Sequence, residues 1–362
     1  MEKRFIDFKS YLKIVGVVSG VFLLFLWASK NSFNSYTLTV LANIYIFIIL
    51  AISYNLINGV TGQFSLEPNG FVAIGAYVTA LLILTPDQKG GMFMIEDPLP
   101  LIRDIHIGSP FLDLLISGVV AGLVALTLAF PVFRVRGDYL AIVTLGFGFI
   151  IRILLINNPQ ISNGSMGLDS IPNFADYFFI GVITLISVIL VYNIVYSKYG
   201  RGMKAIRDDE DAAYAIGLNT FKLKTIAFVT SAFFEGVGGG LLASFIGSIS
   251  PDQFTFMLTF QLLIIIVLGG LGSMSGAIIG TLLVMGGMEL LRFLDDPSWQ
   301  LGPIHGVPGL RMVIFSLILL GIMLFFRRGI MGDREIWDYW KWLKAGKALF
   351  TRGGVDNRGE NR

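Results

Sequence analysis

The chain has 362 residues, of which 54% are hydrophobic and 14% charged, with 42 glycines, no cysteine and a net charge of +2. Soluble domains carry roughly 25% charged residues and about 7% glycine, so this composition excludes an ordinary soluble enzyme, a disordered protein and a disulfide scaffold. The lack of cysteine removes thiol catalysis, cysteine-ligated zinc and iron–sulfur sites, and a polytopic membrane protein remains.

A bilayer core about 30 Å thick needs roughly 20 apolar residues of helix. Such runs lie at 14–29, 38–57, 70–85, 112–133, 139–156, 177–196, 223–246, 260–290 and 307–326. The first is read as a span and not as a removable signal, because no convincing small-residue cleavage site follows Trp27. Positive charge sets orientation. Of the 27 Lys/Arg residues, 20 fall within 1–13, 134–138, 197–222 and 327–362, and none falls within 157–176 or 247–259. The four basic segments, both termini included, are therefore expected in the cytoplasm.

That orientation requires an even number of crossings, whereas the apolar runs number nine. The run 260–290 is too long for one span and is broken by Gly269, Gly270, Gly272 and Gly276. If it enters, turns at those glycines and returns, the chain is an all-α, polytopic transmembrane bundle of about ten crossings, or eight plus a re-entrant pair. Irregular backbone at membrane depth is tolerated where protein buries it or a cavity lines it, so the break marks a candidate substrate path. The expected organisation is a cytoplasmic tail over 1–13, a transmembrane domain over 14–326 with a cytoplasmic loop at 197–222, and a cytoplasmic tail over 327–362. In that last tail Ile336, Trp337, Trp340 and Leu343 fall near helical spacing beside Lys341, Lys344 and Lys347, as in a helix lying on the membrane surface.

Enzymatic machinery is not evident. His106 and His305 have no partner pattern, and there is no G-x-x-x-x-G-K-[ST] phosphate loop. Ser275-Gly276 lacks the membrane histidine that an intramembrane serine protease would need. No catalytic residue, metal ligand set or nucleic-acid contact is expected.

Three groups of residues remain as candidates for function. Ionisable residues within a membrane are costly and are functional candidates by default. Glu235, in the middle of 223–246, is expected to face other helices or the path, either paired with a distant arginine or uncharged. The neighbouring Gly236, Gly238, Gly239 and Gly240 are expected to serve close helix packing. The second group is a pair of similar turns, Gly59-x-x-Gly62-x-x-Ser65 and Gly269-x-x-Gly272-x-x-Ser275. These are expected to face each other near the cytoplasmic side and to line or gate the pore. Asn55, Asn58, Thr61, Gln63 and Ser65 would supply neutral polar contacts there, with Gly270 and Ser273 in the second turn.

The third group lies in 198–222, KYGRGMKAIRDDEDAAYAIGLNTFK, a charged, helix-prone loop. Ala205, Ile206, Ala212, Ala213 and Ile216 form an apolar stripe, opposite Arg207, Asp208, Asp209 and Glu210. Gly217 with Asn219 ends the helix. As a docking helix, it would present Ala212, Ala213 and Gly217 as close-packed contacts, with Arg207, Asp208 and Glu210 at the rim and Asp211 beside them.

The Asp211-Ala212-Ala213 triplet, followed after three residues by Gly217, resembles the EAA-x3-G core of ABC importer permeases, in which this loop inserts into the ATPase subunit. The later Ile-x-Leu-Pro part of that motif is missing. The surrounding segments YGRGMKAIRDDEDAAYAIGLN, AFVTSAFFEGVGGGLLA, SPDQF and VLGGLGSMSGAIIGTLL are similar to permeases of branched-chain amino acid ABC transporters. So are NGVTGQFSLEPNGFVAIGAYVTALL at 58–82, RGDYLAIVTLGFGFIIRILLINN at 136–158 and NGSMGL at 163–168. The RG-x-Y-x-AIVTL form resembles the LivM-type subunit more than its shorter LivH-type partner. The resemblance runs from about residue 38 to 332. The chain departs from the family at Glu67-Pro68, where Gly-His is frequent, at Phe149, where Glu is frequent, and at Glu235, where a small residue is usual.

The resemblance implies a permease subunit of the bacterial inner membrane that binds no cofactor itself. It implies a LivH-type second permease subunit, two ABC ATPase subunits that bind ATP, and a periplasmic or extracellular substrate-binding protein. Leucine, isoleucine and valine are the substrates it implies by default, although related permeases carry urea, amides or other hydrophobic amino acids. The alternative is an ion-coupled secondary transporter using Glu235 as a proton or cation site, which would need neither an ATPase nor the loop 198–222. A purely structural membrane subunit is a third reading.

Overall fold

In the computed structural model, helices form where the apolar runs lie and begin at the caps the sequence provides. The structure describes residues 8–135, 137, 139–296, 300–301, 304–305, 308–326, 328–332 and 335. Helix α1 (Phe8–Ser32) carries the first run and α2 (Ser35–Asn55) the second. Helix α2 continues into one π-helical turn, Leu56–Val60. Helix α3 (Pro68–Ile83) begins on a proline, whose missing N–H costs nothing at the first helical position. The chain then bends by 117° into the short α4 (Pro86–Met92), which is held by a Thr85–Gln88 capping box.

A short α5 (Pro100–Asp104), then α6 (Pro110–Val132), α7 (Tyr139–Asn157), the single turn α8 (Pro159–Ser162) and α9 (Tyr177–Tyr196) follow. Two short helices, α10 (Lys198–Asp208) and α11 (Glu210–Ala215), lead to the long α12 (Thr220–Ile246). The chain continues with α13 (Phe256–Gly269), α14 (Met274–Leu290) and α15 (Leu310–Phe325). Between the last two, Gln300–Leu301 pairs antiparallel with Ile304–His305.

Helix α12 is the hub, packed on α2, α3 and α6. Its four central glycines make this possible. A Cβ on Gly239 would lie 2.1 Å from the Val72 carbonyl oxygen, and one on Gly238 would lie 2.5 Å from Leu50 Cδ2. A Cβ on Gly236 would lie 2.7 Å from Ala121 Cβ, and one on Gly240 would lie 2.3 Å from Thr79 Oγ1. Backbones this close gain dispersion and packing contacts that larger residues would forbid. By contrast α7 exposes Ile142, Phe149, Ile150, Ile153 and Leu154, an apolar face suited to lipid.

The run 260–290 divides into α13 and α14, which pack antiparallel. A Cβ on Gly269 would lie 2.0 Å from the Gly276 carbonyl oxygen, and one on Gly280 would lie 2.2 Å from that of Ile265. Among the described residues seven helices are long and apolar enough to cross a membrane, or eight if the bent α3–α4 pair is one span. This is somewhat fewer than the ten crossings expected. The difference lies at the ends: α15 has only 16 residues, about 24 Å at 1.5 Å per residue, and α1 also stands outside that count. Helix α1 begins at Phe8, within the segment expected as a tail.

Two further expectations are corrected. The loop 198–222 is not one helix. It breaks at Asp209 (φ −162°), whose side chain caps α11 by accepting the Ala212 N–H at 2.9 Å. Asn219 caps the start of α12 and not the end of the preceding helix. The surface helix expected around Trp337 and Trp340 lies outside the described residues.

Candidate functional site

The sequence between α2 and α3 must turn sharply, and its glycines permit this. Gly62 has φ +71°, and Gly272 in the turn between α13 and α14 has φ +85°, conformations that L side chains adopt only with strain. The structure brings these two turns into contact. A Cβ on Gly59 would lie 2.2 Å from the Gly272 nitrogen and 2.1 Å from Asn55 Oδ1, so the backbones touch with no room for a side chain.

Asn55 joins them. Its Oδ1 accepts the Gly272 N–H at 2.9 Å, and its Nδ2 donates to the Ser273 carbonyl at 3.0 Å. Asn58 closes the first turn on itself: Oδ1 accepts the Ser65 N–H at 3.0 Å and Nδ2 donates to the Ser65 carbonyl at 3.3 Å. Thr61 Oγ1 donates to the Leu56 carbonyl at 2.9 Å, and Tyr54 donates its hydroxyl to the Ser65 carbonyl at 2.7 Å. Asn55, Asn58, Thr61 and Ser65 are all buried, while Gln63 is half-buried and Gly62 exposed. In this structure the amides of Asn55 and Asn58 and the Thr61 hydroxyl are engaged with backbone and shape the turns.

Arg207, at the end of α10, reaches the same junction. Its Nη1 donates to the Gly59 carbonyl at 3.4 Å. A Cβ on Gly62 would lie 2.6 Å from Arg207 Cγ, and one on Gly272 would lie 2.7 Å from Arg207 Nη1. The rim position expected for Arg207 therefore needs correction, since the side chain turns inward onto both turns. Asp208, its neighbour, pairs with it from an exposed position.

The rest of the loop divides by face. Ala213 is buried with Ile206 and Leu223 in a small cluster, so it packs on its own chain. Glu210 pairs with Lys224 at 2.6 Å. Gly217 (φ +87°) has nothing within reach of an added Cβ and serves the turn. Asp211 and Ala212 are exposed, and so are Tyr214 (72%) and Ile216 (76%). Tyr214 was not among the expected contacts. Ile216, expected on one apolar stripe with Ile206 and Ala213, is exposed while those two are buried.

The second turn has additional partners. Ser273 Oγ accepts the Gly276 N–H at 3.0 Å. Ser273 and Ser275 also face Glu335, a residue that sequence reasoning left within an undifferentiated tail. Gly270 (φ +117°) packs against Gly332, because a Cβ there would lie 2.6 Å from the Gly332 carbonyl oxygen. Gly269 closes α13 against α14, as described above.

Glu235 is fully buried in α12. Ser231 Oγ lies 3.0 Å from Glu235 Oε1 and 2.7 Å from the Ser53 carbonyl oxygen. Among the described residues no arginine pairs with Glu235, which was expected to be either arginine-paired or uncharged, and Arg152 is bonded to Asp252. Glu67 is also fully buried, and neither of its oxygens meets a hydrogen-bond partner among the described residues. The sequence marked Glu67 only as a departure from the family pattern. Among the described residues no group of three or more His, Cys, Asp or Glu could hold a metal ion.

Over residues 36–326 the sequence matches the family described as branched-chain amino acid transport system / permease component. It is 34% identical over 305 residues to the high-affinity branched-chain amino acid transport system permease protein LivM of Escherichia coli (strain K12), covering 75% of this chain and 66% of that protein. LivM of Salmonella typhimurium is 33% identical over the same shares. LivH of Salmonella typhimurium is 26% identical, over 86% of this chain and 98% of LivH. The chain thus spans just under two thirds of the length of the LivM relatives it matches. No solved structure matches. On the extent of the family match and the identity to LivM, the chain belongs to the family of permease components of branched-chain amino acid transport systems.

Proposed function

We propose that this chain is a membrane permease subunit of an ATP-driven importer and forms part of the translocation path for branched-chain or other hydrophobic amino acids. The observation that carries this reading is the junction at Arg207, where one helix of a connecting loop touches both glycine-rich turns. Close-packed interiors are stiff and transmit displacement. A push on α10 and α11 would therefore reach both turns through one side chain and two touching backbones. Rocking of rigid helices is an established way to convert such a push into altered access.

In this reading both termini, α10 and α11 lie in the cytoplasm of a bacterial inner membrane, on the distribution of positive charge. A LivH-type second permease completes the path, two ABC ATPase subunits bind the ATP, and a substrate-binding protein delivers cargo from the other side. Tyr214 and Ile216 are the anchors offered to the ATPase groove, with Ala212 beside them. The chain has no cysteine, so an Ile216→Cys variant carries a single thiol. That thiol should crosslink to the ATPase with a yield that depends on ATP. Proteoliposomes holding all subunits should import leucine only with ATP and the binding protein present, and ATP-independent uptake would remove the reading. The buried, incompletely partnered Glu67 and Glu235 favour the second reading, an ion-coupled transporter, which requires uptake driven by an ion gradient alone.

A further inference from the structure

We propose that residues 329–332 together with Glu335 clamp the second glycine turn, and that Glu335 is a positioning residue which ties this turn to α10 through Tyr196. The clamp is a statement about the fold, and its consequence for transport rests on the permease reading.

The first N–H groups of a helix have no acceptor within it, and its N-terminus favours negative charge. Glu335, which is buried, supplies both needs for α14. Its Oε1 accepts the Met274 N–H at 2.8 Å, and its Oε2 accepts the Ser275 N–H at 2.9 Å. The hydroxyls of Ser273 and Ser275 also donate to Oε2, the former at 3.2 Å. The backbone on the α13 side of the turn is pinned as well. The Ile330 N–H donates to the Leu268 carbonyl at 2.9 Å and the Met331 N–H to the Gly269 carbonyl at 3.0 Å. A Cβ on Gly329 (φ +76°) would lie 2.6 Å from the Gly270 Cα, so the strap lies directly on the turn.

The link to α10 runs through the last residue of α9. Tyr196 donates its hydroxyl to Glu335 Oε1 at 3.1 Å. The Lys204 ammonium of α10 stands 4.9 Å from the centre of the Tyr196 ring, and the Tyr196 carbonyl accepts from Arg201 Nη1 at 3.4 Å. Helix α10 therefore reaches the second turn twice, directly by Arg207 and indirectly by Tyr196 and Glu335. A helix held to a turn at two points cannot rotate past it without dragging it, and one contact alone would leave that rotation free.

The test uses the full chain in lipid nanodiscs and reads amide hydrogen exchange over 272–277. Glutamine has the shape of glutamate but keeps only one acceptor oxygen and turns an NH2 towards the donors at the other position. Glu335→Ala should therefore speed exchange at both Met274 and Ser275 at least tenfold, and Glu335→Gln at one or both of them, with α12 still protected. Glu335→Asp, which keeps the carboxylate, should recover most of the protection. Wild-type exchange in the glutamine variant overturns the clamp. In reconstituted uptake, Glu335→Gln and Tyr196→Phe should lower the maximal rate severalfold at an unchanged half-saturating substrate concentration. Unchanged rates in both variants overturn the positioning role. If the wild-type assembly itself imports nothing with ATP, the permease reading fails, while exchange still decides the clamp.

Discussion

The two glycine-rich turns share a spacing and a need for positive φ, yet they are held in different ways. The first is held mainly from within residues 54–65, where Asn58 closes on Ser65, Thr61 on Leu56 and Tyr54 on Ser65, with one long bond from Arg207 to Gly59. The second is held from far away. Asn55 lies 217 positions before Gly272, and Glu335 lies 60 positions after Ser275. A turn that supplies its own bonds is as stable as the helix that carries it. A turn held by distant residues opens when those residues move, and local stability differs across a fold for this kind of reason. In the permease reading we propose the first turn as the fixed jaw and the second as the movable one.

Four tests would break or sharpen that contrast. The largest effect belongs to Gly59→Val, because its Cβ would meet Asn55 Oδ1 and the Gly272 nitrogen at about contact-forbidding range. Overpacking costs roughly 1–3 kcal/mol by itself, and the Asn55 bonds would be lost with it. Folded yield and thermal midpoint should both fall sharply, and a normal midpoint would mean the jaws do not touch.

Next is Asn55→Ala, which orphans the Gly272 N–H and the Ser273 carbonyl. At about 1–3 kcal/mol for each buried unsatisfied group, it should exceed Asn58→Ala, where Tyr54 still serves the Ser65 carbonyl. A thermal shift larger for Asn58→Ala than for Asn55→Ala would reverse the comparison.

Gly62→Leu comes third. Forcing a left-handed conformation costs roughly 1–2 kcal/mol, and the atoms a Cβ there meets are Cγ, Cβ and the backbone Cα of Arg207. The protein should stay folded while uptake falls severalfold, and intact uptake would count against the gating role. The smallest structural effect is expected for Glu235→Gln, which keeps an oxygen beside Ser231 and should alter stability by less than about 1 kcal/mol. Reduced uptake would keep Glu235 in the path, whereas unchanged uptake would make it a packing residue.

Much of the fold was legible in the sequence because lipid imposes a length and a polarity on each helix. The glycine break within 260–290 was readable from charge parity, and the α12 glycines from their density. The break at Asp209 was missed, although Asp209-x-x-Ala212 carries a helix-start signature. It was hidden by the run of four acidic residues from Asp208 to Asp211. The side chains that hold the second turn were not legible. Arg207 looks like any solvated arginine until α10 is laid against Gly59. Glu335 is an acidic residue in a basic tail, and its partners on α14 and at Tyr196 come from distant parts of the chain. Long-range bonds leave no local pattern, because the two halves of each are set by different parts of the chain.

The clamp also imposes an order on how the protein is made. Residues 54–65 complete their own turn while most of the chain is still unsynthesised, whereas the second turn waits for residue 335. A chain interrupted shortly before that point would carry every helix through α15 and yet leave Met274 and Ser275 uncapped.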